Sequence, residues 1–569
     1  MNWMNVKRKH FDIHVINFIF IAILFLCIIS QLKSILVSID VDEEYVLAMY
    51  HRLAQNDILL LEMWESHQLS AILGAWLAKL YVAIAGTEYM VIFFRVIGVL
   101  CSGLTALYVF KRLDEYHVGY KFLPVLLVFI YNPKKMLLPE WSNFVAWGAL
   151  IMFFALVSYL ETKQKRYLIH AGVGATIASL AIWSFAIVVV FVCIGLVYDQ
   201  VKHKEKIKDI AKNIGWFLWV PIISVAAFLI YLLFHMNLGD ILDNITYITN
   251  TGIYGHTLWQ SFVTILSEMA LFVWTNKLNI VIAFFVCLIS CLVRKKISLE
   301  LFFECWLILL AFSELRLAIF GSQWYMKHAF VIILYALYLV IKNKKYHLCY
   351  MGIICPVIAW LTIAIISCVP FHIGNMYLFP AEILAVVFIL KYKVVPGKMS
   401  KSILFLTGVL LVMLSTLAAK GWAVRVTSTP TATIQSYEWV RITDGPLKSV
   451  WVREADGLLY NENAALANSL ANGSKILYLG YGELLYLAED KEFEICTPSL
   501  TVGYPSHEVL EDYYLQNPEK KPDIVIIEKS YDELLKGRVK ECVDAYFGEY
   551  KNATETETKW IYKNSITDN

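Results

Sequence analysis

The chain has 569 residues, 59% of them hydrophobic and 17% charged, with a mean hydropathy of +0.60. That composition lies outside the range of soluble globular domains and predicts an integral membrane protein. Lys plus Arg number 49 against 47 Asp plus Glu, so no basic excess exists to neutralise nucleic-acid phosphates and a nucleic-acid partner is excluded.

The N-terminal MNWMNVKRKH precedes a long apolar segment with no small-residue cleavage site, which predicts a retained first span rather than a signal peptide. Apolar runs then recur along the chain, and in lipid each satisfies its backbone only as a helix. About thirteen spans are predicted, beginning near residues 13, 90, 121, 143, 168, 185, 214, 277, 299, 329, 347, 372 and 401. The segment 167–197 reads as two helices broken near Trp183-Ser184. LSAILGAWLAKLYVAIAG, residues 69–86, is nearly long enough to cross, but crossing there would spoil the alternation of basic loops, so a helix lying on the membrane is expected. Basic clusters at 7–9, 111–112, 163–166, 202–212, 294–296, 342–345 and 391–401 fall on alternate connections. This pattern predicts a cytoplasmic N-terminus and an extracytoplasmic C-terminus in a multi-pass protein of the cytoplasmic membrane.

Most of the 11 cysteines lie in apolar runs without metal-ligand spacing and read as small buried hydrophobes. After residue 420 the composition changes. SKILYLG (474–480) and KPDIVIIEKS (521–530) read as buried strands, and NAALANSLA and SYDELLKGRVKECVDAYF as helices, of a small α/β domain over 421–569. YLGYGELL lacks the third glycine and the helix start of a nucleotide-binding turn, so tethering, acceptor capture or partner docking is expected of this domain. The sequons at Asn244, Asn472 and Asn552 match a pattern frequent by chance.

The informative stretch follows the first span: SIDVDEEYVLAMYHRLAQNDILLLEMWESHQLSAIL, residues 38–73, with Asp40, Asp42, Glu43 and Glu44 in a row. A carboxylate at the bilayer centre costs roughly 2.5–3.5 kcal/mol on insertion scales, so these acids belong at an interface or in a wet cavity. Beyond them Val46, Leu47, Tyr50, Leu53 and Ala54 repeat with helical spacing, as in an amphipathic helix on the membrane surface. Glu62, Glu65 and His67 follow, then Arg95 inside the apolar MVIFFRVIGVL. Glu314, Arg316, Tyr325, Lys327 and His328 cluster near two late spans, and Lys134, Lys135 and Glu140 sit against the charge rule. Acids from the first loop and cations from the late one predict a cavity with acidic and basic walls.

DEEY (42–45), ND (56–57), WESHQLSAIL (64–73), FFRVIG (93–98) and QWYMKHAFVIILYALYLV resemble, in order and spacing, the GT-C glycosyltransferases that use polyprenyl-phosphate sugars. Aminoarabinose transferases of lipid A and protein O-mannosyltransferases are the nearest groups. Tyr45 stands where aminoarabinose transferases have Arg, and Glu65-Ser66-His67-Gln68 where they have Glu-Lys-Pro-Pro, so two donor-phosphate cations are replaced.

The resemblance implies a polytopic α-helical GT-C domain over 1–420, with its first outer loop at 39–89. It implies inverting transfer of a hexosyl or pentosyl group from a polyprenyl-phosphate donor to a hydroxyl on an envelope lipid, glycan or protein, outside a bacterial cytoplasmic membrane. Asp42 is then the base. Asp40, Glu43, Glu62 and Glu65 orient the acceptor or a divalent cation, and His67, Arg95, Arg316, Tyr325 and Lys327 hold the donor phosphate. The alternatives are a transporter or flippase, or a polymerase or ligase acting on lipid-linked sugars. No two-fold internal repeat of broken spans supports the transporter.

Overall fold

The computed structural model describes residues 2–115, 118, 120–131, 137–250, 257–295, 298–319, 326–366, 375–393, 402–426, 429–488, 491–500, 507–548, 550 and 554–564. Up to Trp422 the chain is almost wholly helical. In order come α1 (Asn2–Leu36), α2 (Val41–Ala54), α3 (Gln68–Ala85), α4 (Met90–Glu115), α5 (Phe122–Ile130), α6 (Trp141–Thr162) and α7 (Arg166–Ala181). They continue with α8 (Ala186–Lys202), α9 (Ile207–His235), α10 (Leu238–Asn250), α11 (Leu258–Thr275), α12 (Lys277–Arg294), α13 (Leu299–Ile319) and α14 (Lys327–Lys342). The helical stretches Tyr346–Ile366, Phe379–Lys393 and Ile403–Trp422 complete the set.

Among the described residues, eight helices are long and apolar enough to cross a membrane, so the chain is a multi-pass membrane protein. Two of them refine the sequence reading. α3, expected flat on the surface, has the length and apolarity of a span, and α11 is an apolar helix the spacing of basic clusters did not reveal. α5, at nine residues, is by its 1.5 Å rise too short to cross a hydrocarbon core of about 30 Å by itself. The expected break near Trp183-Ser184 is present: α7 ends at Ala181, and a 3₁₀ turn, Trp183–Phe185, leads into α8.

α6 forms the middle of the bundle, with 89% of its apolar window buried, while α9 buries 11% and turns its apolar surface outward. At one end the basic loops find acidic partners from one another's helices. Lys163 meets Asp199 at 3.1 Å, Lys391 meets Glu161 at 2.9 Å, and Glu300 receives Lys342 at 2.7 Å and Lys393 at 3.0 Å. The connections carrying the basic clusters at 163, 342 and 391 therefore gather at a single end.

The C-terminal part sits at the other end. Hairpins β1 (Ala423–Val426) with β2 (Thr429–Thr433), and β3 (Trp439–Arg441) with β4 (Trp451–Arg453), are antiparallel. A five-stranded sheet follows, from β5 (Lys475–Leu479), β6 (Glu494–Ile495), β7 (Ile524–Glu528), β8 (Thr554–Glu555) and β9 (Lys559–Lys563), in the order β6-β5-β7-β9-β8. β5 is parallel to both β6 and β7, and β9 runs antiparallel to β7. Every residue of β7 is buried, as suits an apolar strand covered on both faces. Helices Glu454–Ser469, His507–Gln516, Lys529–Leu534 and Arg538–Tyr546 pack around this sheet.

Candidate active site where the first loop meets the C-terminal domain

The chain leaves α1 through Ser38, whose φ of 72° lies in the left-handed region. Two bonds hold it there: its N–H donates to the Trp451 carbonyl at 2.6 Å, and its carbonyl accepts from Arg95 Nη2 at 2.6 Å. Asp40 then caps α2, its carboxylate accepting the Asp42 N–H at 3.0 Å. Asp42, Glu43 and Glu44 fill the first turn, where carboxylates complement the helix dipole.

The four acids diverge because successive helical residues point about 100° apart. Glu43 turns toward the bundle and receives Arg95 twice, Nε at 3.0 Å and Nη2 at 2.5 Å. Arg95 also donates through Nη1 to the Ile35 carbonyl at 3.0 Å. Both side chains are buried. Arg95 thus staples the end of α1 to the start of α2, and each of its nitrogens already has a protein acceptor. Asp42 is half-buried, with its charge felt by Tyr45 and Glu483. Glu44 turns toward the C-terminal domain, where its carboxylate accepts the Leu484 N–H at 3.4 Å.

α2 departs from the expected membrane-surface helix. All residues from Glu43 to Arg52 are buried, because the C-terminal domain covers the face that periodicity assigns to water. Arg52, wholly inaccessible, donates to Asp57 at 2.7 Å, to the Thr497 carbonyl at 2.9 Å and to the Glu62 carbonyl at 2.5 Å. Lys520 of the C-terminal domain completes this group, 2.7 Å from Asp57, 3.1 Å from Glu494 and 3.5 Å from Glu62. Burial opposes the Lys520 charge, but Asp57 and Glu62 outweigh it and hold the ammonium above its ordinary range.

Glu62 and Glu65 serve this junction. Glu62 accepts the Ile58 N–H at 2.5 Å. Glu65, fully buried, accepts from Tyr45 at 3.1 Å, from the Ser499 hydroxyl at 2.7 Å and from the Leu500 N–H. Burial raises both carboxyls above the usual carboxylate range. Trp64 adds aromatic contact, stacked on Tyr247 at 4.9 Å and edge-on to Tyr513 at 5.4 Å. Asn244, in the first sequon, is buried and donates to the Leu60 carbonyl at 2.7 Å and to Gln516 at 3.0 Å.

His67 stacks on Trp141 with centroids 4.4 Å apart and planes 8° from parallel. Glu140 caps α6, accepting the Ser142 and Asn143 N–H groups, each at 2.8 Å. Arg316 is exposed. Lys327 is half-buried, its backbone N–H on Glu314 at 2.8 Å. His328 is buried between Glu314 and Glu382, the latter at 3.1 Å. Tyr325, Lys134 and Lys135 lie outside the described residues. Of the anticipated site, then, Asp40, Asp42, Glu43 and Arg95 gather at the α1–α2 turn, and Glu62 and Glu65 join the C-terminal domain. Sequence reasoning missed Arg52, Lys520 and Glu483, which come from distant segments or from a helix face assigned to water. Among the described residues no group of three or more His, Cys, Asp or Glu is placed to hold a metal ion.

No family model matches the chain, and no curated protein matches it. Three solved structures of the Archaeoglobus fulgidus oligosaccharyltransferase AglB are similar over most of the chain. The complex with an inhibitory peptide and a dolichol-phosphate has 12% identity over 96% of this chain and 74% of that one, at a TM-score of 0.42. The complex with Zn and sulfate has 12% identity, 95% and 73% coverage, and a TM-score of 0.38. The form tethered to an acceptor peptide has 11% identity, 95% and 74% coverage, and a TM-score of 0.43.

Proposed function

We propose that the chain is a membrane glycosyltransferase that moves a sugar from a polyprenyl-phosphate donor to an acceptor hydroxyl, on the outer face of a bacterial cytoplasmic membrane. The observation that carries this reading is the position of the first turn of α2. Its acid row stands between the helix bundle and the C-terminal domain, so a donor held in lipid and an acceptor arriving from water reach the same place. The membrane domain comprises 1–420 and the extracytoplasmic domain 421–569.

Asp42 is the base. As the anomeric bond to phosphate breaks, the attacking hydroxyl grows acidic, and a carboxylate takes its proton late, an effect typically worth about 10²–10⁴-fold. Asp40 is committed to its cap. Glu43 and Arg95 position the turn that carries Asp42. His67, Arg316, Tyr325 and Lys327 remain to stabilise charge developing on the leaving phosphate, the larger electrostatic contribution in such transfers. Inversion at the anomeric carbon follows from a single displacement.

The test incubates purified protein and Asp42→Asn with polyprenyl-phosphate hexoses and an envelope extract. Sugar transfer by the wild type with a silent, folded variant supports the reading. Movement of the sugar lipid across vesicles, unaffected by the substitution, replaces it with a transporter.

A further inference from the structure

A cavity of about 550 Å³ opens where the first turn of α2 meets the C-terminal domain, a volume within the usual range for small-molecule sites. Its walls come from Ile39 and Glu44, from Asp456, Tyr460 and Asn463 of the helix Glu454–Ser469, and from the segments after β5 and β7. β5 and β7 are adjacent and parallel, and the chain leaves β5 toward β6 on one side and β7 toward β9 on the other. Tyr481, Gly482, Glu528 and Ser530 therefore stand at the carboxyl ends of two strands with diverging connections. In open α/β sheets that crevice is where ligands bind.

The glycines of YLGYGELL find their reason here. A Cβ on Gly480 would lie 2.6 Å from a Glu528 carboxylate oxygen, and one on Gly482 would lie 1.9 Å from Asn463 Nδ2. The turn is glycine-rich so that a carboxylate and an amide can approach its backbone. Glu528 accepts from the Tyr478 hydroxyl at 3.0 Å, from the Tyr481 N–H at 2.9 Å and from Ser530. With its proton so used, Tyr478 can only accept from Asn463 Nδ2, 3.4 Å away, which fixes the amide with Oδ1 outward. Asn463 is 3% exposed, and Oδ1 accepts no hydrogen bond among the described residues.

The unmet group in the wall is thus an acceptor. Arg453, the cation in the wall, is bound at both Nε and Nη2 to Asp456. Burial raises Glu44 well above the carboxylate range, with Asp456, Glu528 and Asp40 adding to it, and does the same to Glu483, where Glu44, Glu528 and Asp42 add to it. A phosphate-bearing ligand meets a wall of carboxyls here. A ligand bringing donors meets acceptors, with Tyr460 and Tyr481 offering ring surface. We propose that this cavity binds a small hydroxyl-rich molecule carrying one ammonium group, an amino sugar by chemical class, with Asn463 Oδ1 accepting a hydroxyl and Glu44 facing the ammonium. Binding needs no lipid donor, so it stands whether or not the transferase reading holds.

Titration calorimetry on the full-length protein in detergent, with glucosamine, N-acetylglucosamine and glucose, tests this. Glucosamine should bind about tenfold or more tighter than the two neutral sugars, the difference expected for a charged rather than a neutral hydrogen bond. It should also release a proton, read as a heat that depends on the buffer, because the ammonium favours ionised Glu44. Glu44→Gln should erase the preference, and Asn463→Leu should weaken binding of all three. Ala464→Phe fills the cavity from the same helix without removing a polar group, and should abolish binding in a protein that still elutes as the wild type does. No heat from any sugar up to about 20 mM, equal affinity for glucose and glucosamine, or unchanged binding by Ala464→Phe overturns the proposal.

Discussion

Two buried polar regions join the first loop to the C-terminal domain, and they are built in opposite ways. Around Arg52 each charge has its counterpart: Asp57 receives both Arg52 and Lys520, and Glu62 and Glu494 take up the rest of the ammonium. Around Glu44 the neighbouring charges are carboxyls, and Asn463 Oδ1 and Glu483 Oε2 are buried without hydrogen-bond partners among the described residues. Buried charge is tolerated only when paired, and unpaired buried acceptors cost stability. The first region accordingly acts as a fastening. The second carries a cost in stability.

The sharpest way to break this contrast is to remove Arg52. Arg52→Met takes the buried donors from one Asp57 oxygen and from the Thr497 and Glu62 carbonyls and should cost about 3–5 kcal/mol, seen as a large fall in thermal stability and as new protease cleavage near the domain junction. Glu43→Gln strands the Arg95 guanidinium and should cost about 3 kcal/mol. Replacing the pair together, Glu43→Leu with Arg95→Met, should recover most of that stability in chemical unfolding while transfer stays low, because the turn carrying Asp42 is no longer held. A double variant as unstable as Glu43→Gln alone would refute the strut.

In the second region the sign reverses. The folded protein holds protons on Glu44 and Glu483 that the unfolded chain releases near the ordinary value of 4.5. Their contribution is complete below that value and is lost as pH rises above it. Glu483→Gln keeps the neutral form at all pH, so it should leave the melting temperature unchanged near pH 4 and raise it by a few degrees at pH 8. A loss at pH 8 would show that Glu483 is an ionised partner instead. His51 sets the smallest effect, on the acid side. Burial lowers it from 6.5 to about 4, so the stability it supports above 6.5 is lost as pH falls through that window. His51→Gln should flatten the decline measured between those values.

How far each element could be read from the sequence follows from how local its cause is. The span-length helices near the expected starts at 90, 143, 185, 214, 347 and 401, the break at Trp183-Ser184 and strands β5 and β7 were legible because apolar run length and flanking residues decide them, while the start near 372 lies outside the described residues. The Asp40 cap and the acidic first turn of α2 were legible for the same reason. The surroundings of α2 were not. Val46, Leu47 and Tyr50 marked one buried face correctly, but His51 and Arg52 look solvent-facing until residues more than 400 positions away cover them. Likewise the reason for the two glycines of YLGYGELL was not legible in the sequence. That its glycines accommodate Asn463 and Glu528 depends on contacts between three separate segments.

The sequence by itself determined that this chain spans a membrane several times, that a mixed sheet and helix region follows, and that carboxylates crowd the turn after the first long helix. Those properties rest on hydropathy, periodicity and capping, which act within one or two turns of chain. Only the tertiary structure decided which carboxylate goes where: Asp40 to a cap, Glu43 to Arg95, Glu65 to the C-terminal domain, and Glu44 to a cavity. The reason is geometric. Neighbouring side chains on a helix leave in directions about 100° apart, so residues identical in sequence character meet different partners once distant segments close around them.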